Sequence, residues 1–146
     1  AAVMHGVRDL AAGLRPAVLD DLGLPAAVQK QAREFSKHTG VIVVVSVEGE
    51  FGGLADTHRT YIYRIVQEAL TNCAKHAHAK RITVGLFDHG DRVQVTIIDD
   101  GVGFAARMPH GLGLIGMEER IRELGGTIAI RSTPSQGTTI EASIPR

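Results

Sequence analysis

The chain has 146 residues, 44% of them hydrophobic, which is enough for one domain with a real core. Sixteen basic and sixteen acidic side chains balance, which excludes a broad electrostatic footprint for nucleic acid, and no run of like charge forms a tail. The single cysteine, Cys73, excludes an internal disulfide, and no apolar run reaches the roughly 18 residues that a bilayer span requires. No signal peptide is visible and a free cysteine fits a reducing compartment, so a cytoplasmic location without membrane contact is expected for this stretch.

Ala1 to Leu14 begins in mid-pattern, with no cap and with Val3, Val7, Leu10, Ala11 and Leu14 at helical spacing. It reads as the end of a longer helix, and the chain is expected to be a piece of a longer protein, with room upstream for a membrane anchor or sensor. That helix should stop near Pro16, because proline disfavours helical geometry in the residue before it. Asp20-Asp21-Leu22-Gly23 is expected to turn, and Pro25 suits the first turn of a helix reaching about His38, with Ala27, Val28, Ala32 and Phe35 inward. Val41 to Val47 is a β-branched run, read as a strand buried on both faces.

After a glycine-containing loop, Asp56 or Thr57 can cap a helix that runs through Tyr61 to Lys80. Tyr61, Ile62, Ile65, Val66, Ala69, Leu70 and Cys73 form its apolar stripe. Glu68, Asn72 and then Lys75 or His76 stack in a polar row on a neighbouring face. Arg81 to Phe87 and Arg92 to Ile98 are strands joined by Asp88-His89-Gly90-Asp91. A further helix opens at Gly111-Leu112-Gly113-Leu114 and ends at Leu124-Gly125-Gly126, before a last hairpin of Thr127 to Ser132 and Thr138 to Ile144. The fold class is α/β (α+β): a two-layer sandwich, with one mixed sheet covered by helices on one face.

Three stretches carry chemistry. The polar row offers a carboxylate, a carboxamide and one or two cationic groups, a set that orients water, binds a hard metal ion and meets phosphate. Asp99-x-Gly101-x-Gly103 follows a strand; its glycines let the backbone approach a ligand closely. A carboxylate at such a strand end accepts a hydrogen bond from the exocyclic amine of adenine, whereas guanine presents a carbonyl there and is repelled. Gly111-x-Gly113 before a helix presents backbone N–H groups that hold phosphate oxygens, helped by the helix dipole. The spacing is neither that of a P-loop nor that of the dinucleotide fingerprint.

In this order the pieces resemble the catalytic, ATP-binding domain of two-component sensor histidine kinases, in the wider group that includes gyrase, a heat-shock chaperone and MutL. The N box is similar to Glu68-Ala69-Leu70-Thr71-Asn72 through Lys75-His76-Ala77, the G1 box to Asp99–Gly103 and the G2 box to Gly111–Gly113. Gly137-Thr138 looks like the final strand of the family. Leu14-Arg15-Pro16, Leu19-Asp20-Asp21-Leu22-Gly23-Leu24 and Gly113-Leu114-Ile115-Gly116-Met117 resemble the nitrate-sensor (NarL-type) subfamily, as does the short lid without an F box.

The resemblance implies a Bergerat ATP-binding fold and protein-histidine kinase activity that uses ATP and Mg²⁺. Residues 1–20 would close the upstream dimerisation helix and linker, and residues 21–146 would form the catalytic domain. Glu68 would orient a metal-bound water, Asn72 would ligate Mg²⁺, and Lys75 and His76 would lie near the phosphates. Asp99 would take the adenine amine with support from Thr138, while Gly101, Gly103, Gly111, Gly113 and Leu114 would shape the pocket and lid. The partners implied are ATP, the histidine-bearing dimerisation domain of a homodimeric parent and a response regulator. His5 is followed by Gly6 rather than an acidic residue, so the chain is expected to lack its own phosphoacceptor. Alternatives of the same fold are an anti-sigma-factor-type serine kinase and a non-catalytic nucleotide-sensing module.

Overall fold

Period-two burial in the central strands sets the architecture. A computed structural model describes residues 16–74, 79–101, 112–133 and 135–146. Its strands are β1 (Ile42–Glu48), β2 (Arg81–Asp88), β3 (Arg92–Asp99), β4 (Thr127–Thr133) and β5 (Gly137–Pro145). They form one sheet in the order β1-β2-β3-β5-β4, in which β1 and β2 are parallel and every other pair is antiparallel. Ile82, Val84 and Leu86 of β2, Val93, Val95 and Ile97 of β3, and Ile140, Ala142 and Ile144 of β5 are all buried. Between them, Thr83, Gln94, Thr96 and Glu141 are only half-buried and Ile98 is exposed, so the sheet has one covered face and one open face.

The covering layer consists of α1 (Ala17–Leu22), α2 (Leu24–Thr39), α3 (Asp56–Asn72) and α4 (Leu112–Glu123). The stripe expected on α3 is the centre of the core: Ile62, Ile65 and Val66 are fully buried, with Ala69, Leu70 and Cys73 nearly so. α2 adds Ala27, Val28 and Ala32, and α4 adds Met117 and Ile121. Because β1 and β2 are parallel, the chain must cross over between them, and α3 is that crossover. The mixed sheet with helices on one face agrees with the sandwich expected from the sequence.

Three local expectations are corrected. The Val41–Val47 run is strand β1 at the edge of the sheet, not a strand buried on both faces; its side chains are half-buried or exposed, with Ile42 55% exposed. β-branching encodes extended backbone, whereas position in the sheet depends on which strands pair, and among the described residues β1 pairs only with β2. Asp20-Asp21-Leu22 belongs to α1, which ends where Gly23 takes φ +80° and returns its N–H to Leu19 O. Neither Asp56 nor Thr57 caps α3. The cap position is Ala55, without a side-chain bond, and Asp56 already lies in the first turn, paired with Arg59.

Candidate nucleotide-binding site

β3 delivers Asp99 to the end of the sheet, where the ladder sets it opposite Thr138 on β5. Its Oδ1 accepts the Gly101 N–H at 2.9 Å, which folds the chain sharply after the strand. Gly137 has φ +89°, and a Cβ there would lie 2.1 Å from Asp99 O, so only glycine allows this approach. Thr138 is buried, and its hydroxyl lies 3.0 Å from Ser132 Oγ on β4, which fixes the strand beneath the carboxylate. Burial pushes the Asp99 carboxyl above the usual carboxylate range; the Gly101 and Thr138 N–H groups oppose that rise and neighbouring Asp100 adds to it.

The end of α3 lies beside this turn. Burial raises the Cys73 thiol to about 11, with Asp99 contributing and the Ala79 N–H opposing. At that pKa the thiol is inert, in keeping with its expected role as a small core residue. Glu68 and Asn72 are one helical turn apart on α3, each half-buried, with buried Ala69 and Cys73 following them in sequence. Among the described residues no group of three or more His, Cys, Asp or Glu could hold a metal ion. A magnesium ion carried by nucleotide phosphates needs only one or two protein oxygens, and the Asn72 amide and Glu68 carboxylate are hard donors of that kind.

Asp100 and Ser132 were not singled out by motif. The Asp100 Oδ1 accepts the Lys80 and Arg81 N–H groups at 2.9 and 3.0 Å, and its own N–H returns to Arg81 O at 3.2 Å. A short carboxylate just past a strand is a frequent acceptor of backbone N–H groups, but the sequence does not show that Lys80 and Arg81 supply them. The structure thus brings Asp99, Gly101 and Thr138 together, with Glu68 and Asn72 on the adjoining helix. Gly113 and Leu114 fall in the first turn of α4. Lys75, His76, Gly103 and Gly111 lie outside the described residues.

Residues 57–146 match the model of the histidine kinase-, DNA gyrase B-, and HSP90-like ATPase family. The chain belongs to that family. It is 38% identical over 141 residues to the signal transduction histidine-protein kinase/phosphatase DegS of Brevibacillus brevis, covering 95% of this chain and 36% of that protein. The sensor histidine kinase MctS of Rhizobium johnstonii is 36% identical, with 96% and 31% covered. UhpB of Salmonella typhimurium, another histidine-protein kinase/phosphatase, is 35% identical, with 99% and 29% covered. The chain therefore spans about a third of the length of these curated relatives. Among solved structures, the Acinetobacter baumannii histidine kinase AdeS superposes with a TM-score of 0.70 at 19% identity, covering 99% of this chain and 78% of that one. A histidine kinase domain from Erythrobacter litoralis superposes at 0.66 and 24% identity, covering 84% and 60%. At such identities the likeness is one of fold. The chain is homologous to the ATPase domains of sensor histidine kinases, and the serine-kinase alternative is not favoured by relatives that bear histidine-kinase names. Among the described residues no helix is long and apolar enough to cross a membrane.

Proposed function

We propose that the chain is the ATP-binding catalytic domain of a sensor histidine kinase of the nitrate-sensor subfamily. It donates the γ-phosphoryl group of ATP to a histidine on a dimerisation domain of the homodimeric parent, for relay to an aspartate on a response regulator. The observation that carries this reading is Asp99, a half-buried carboxylate held by the Gly101 N–H beside the end of the helix that bears Glu68 and Asn72. In the described part of the site, adenine specificity comes from the Asp99 carboxylate accepting the exocyclic amine, a contact worth about 1.5–3 kcal/mol.

Asn72 would hold Mg²⁺ through its amide oxygen, with Glu68 orienting a water beside it. The ion, when bound, supplies charge neutralisation on the phosphates. Lys75, His76 and the glycines at 103, 111 and 113 are assigned to the phosphates and lid on the strength of the family motifs. Phosphoryl transfer demands alignment and electrostatics more than covalent participation by the protein, and these side chains answer that demand. We set the domain boundary at residue 20/21, inside α1, whose Leu19 is buried in the core.

Incubation with γ-labelled ATP, Mg²⁺ and the dimerisation helix pair of the parent tests the reading. The expected product is an acid-labile phosphohistidine on the helix pair. An acid-stable phosphoester, or no transfer by a domain that binds ATP, overturns it.

A further inference from the structure

Residues 80 and 81 join the Asp99 turn to the start of β2 and to β1. The Lys80 carbonyl accepts the Ile42 N–H of β1 at 3.0 Å. The N–H groups of Lys80 and Arg81 both converge on one oxygen of Asp100, and Asp100 N–H closes the loop on Arg81 O. The Asp99 turn is thus tied through its second residue to the segment into which the polar helix returns. The two backbone donors also hold the Asp100 carboxyl below the usual carboxylate range, Arg81 more strongly than Lys80.

We propose that Asp100 is a positioning residue that holds the adenine-reading Asp99 turn on the start of β2, one residue past the end of β3. Asp99 faces the base and Asp100, one residue on, faces the backbone, so adjacent carboxylates divide recognition from alignment. The Asp99 turn is braced locally by Gly101 and Thr138, and the ladder pairs Asp99 itself with Ile82 of β2, but none of these contacts holds the residue that follows. The Asp100 contacts extend the pairing one residue further, onto Lys80 and Arg81 at the start of β2. An oxygen at this position is needed; a charge is not. The inference rests on the nucleotide reading proposed above.

Calorimetric titration of ATP and GTP, each with Mg²⁺, into the wild-type chain, Asp100→Ala, Asp100→Asn and Asp100→Glu tests it, with Tm recorded for each. Asp100→Ala is expected to bind ATP about tenfold more weakly and to narrow the ATP-over-GTP preference, since Asp99 is no longer held at the base. Asp100→Asn is expected to stay within about threefold of wild type, because its amide oxygen still accepts both N–H groups. Asp100→Glu keeps the charge but moves the oxygen by one methylene, and is expected to lose affinity and selectivity like the alanine variant. If Asp100→Ala does not fold, Asp100→Glu against Asp100→Asn decides. Wild-type affinity and selectivity in the alanine and glutamate variants, even with a lowered Tm, overturns the inference and leaves the nucleotide reading standing. A wild-type chain that binds no ATP overturns both.

Discussion

The β2–β3 pair carries an aspartate at each end, and the two are treated in opposite ways. At the hairpin end, Asp88 meets the Arg146 guanidinium at 3.0 Å and accepts the Gly90 and Glu50 N–H groups at 3.0 and 3.4 Å. Arg146 also donates to Glu50 O at 2.9 Å, and Gly49 lies so close that a Cβ there would come within 2.4 Å of Asp88 Cβ. His58 Nε2–H adds a bond to Pro145 O at 2.9 Å. The Gly90 N–H first, then the Glu50 N–H and Arg146, hold the Asp88 carboxyl below its usual range. At the other end, Asp99 is half-buried, burial raises its carboxyl, and the charge beside it is the like-signed Asp100. A compensated carboxylate closes a structure. A carboxylate whose desolvation is left partly unmet is kept for a ligand to complete.

Substitutions that disturb one end and spare the other should separate the two roles. The largest effect is expected from Gly137→Ala, which puts a Cβ against the Asp99 carbonyl in a left-handed backbone position. Urea unfolding should show a loss of about 3 kcal/mol or more, with nucleotide binding lost in parallel. Glu68→Gln should lower phosphotransfer by about a hundredfold while costing less in ATP affinity, since its task is at the reacting phosphate. Equal losses in both would count against that role. Arg146→Ala opens the hairpin end and is expected to lower Tm by a few degrees while ATP affinity holds. If affinity fell as well, the two ends would not be independent.

The smallest effect concerns pH. The folded pKa of Asp99 is raised above the unfolded value of about 3.9, so its ionisation works against folding once pH rises through the folded pKa. Asp88 and Asp100 shift downward, so their support is present above the unfolded value and is lost as pH falls through their folded pKa values. Asp99→Asn should therefore raise Tm slightly at neutral pH without nucleotide, and the gain should vanish as pH falls into the usual carboxylate range. A neutral-pH Tm below that of wild type would mean that Asp99 serves the fold rather than a ligand.

The layers of this domain were legible because they follow from period alone. The stripe from Ile62 to Cys73 points one way and is buried as read, and the strands expected at residues 81–87, 92–98 and 138–144 are present as β2, β3 and β5. What was misread depends on partners distant in the chain. The Val41–Val47 run does not reveal that its strand lies at an edge, and Asp56 does not reveal that Arg59 takes its carboxylate. Phe51 and Leu54 sit in a loop without periodicity, yet both are buried. Asp99 and Gly101 were readable because glycine spacing marks a turn that approaches a ligand. Asp100 and Ser132 were not, since their tasks are set by Lys80, Arg81 and Thr138, which only the folded ladder brings within reach.

The most direct test is a calorimetric titration of ATP with Mg²⁺ into the wild-type chain and Asp99→Asn, with GTP as the competing base. The wild type should bind ATP and discriminate against GTP, and Asp99→Asn, folded with at least the wild-type Tm, should bind ATP about ten- to a hundredfold more weakly. Undiminished ATP binding by Asp99→Asn would contradict the assignment of this carboxylate to adenine.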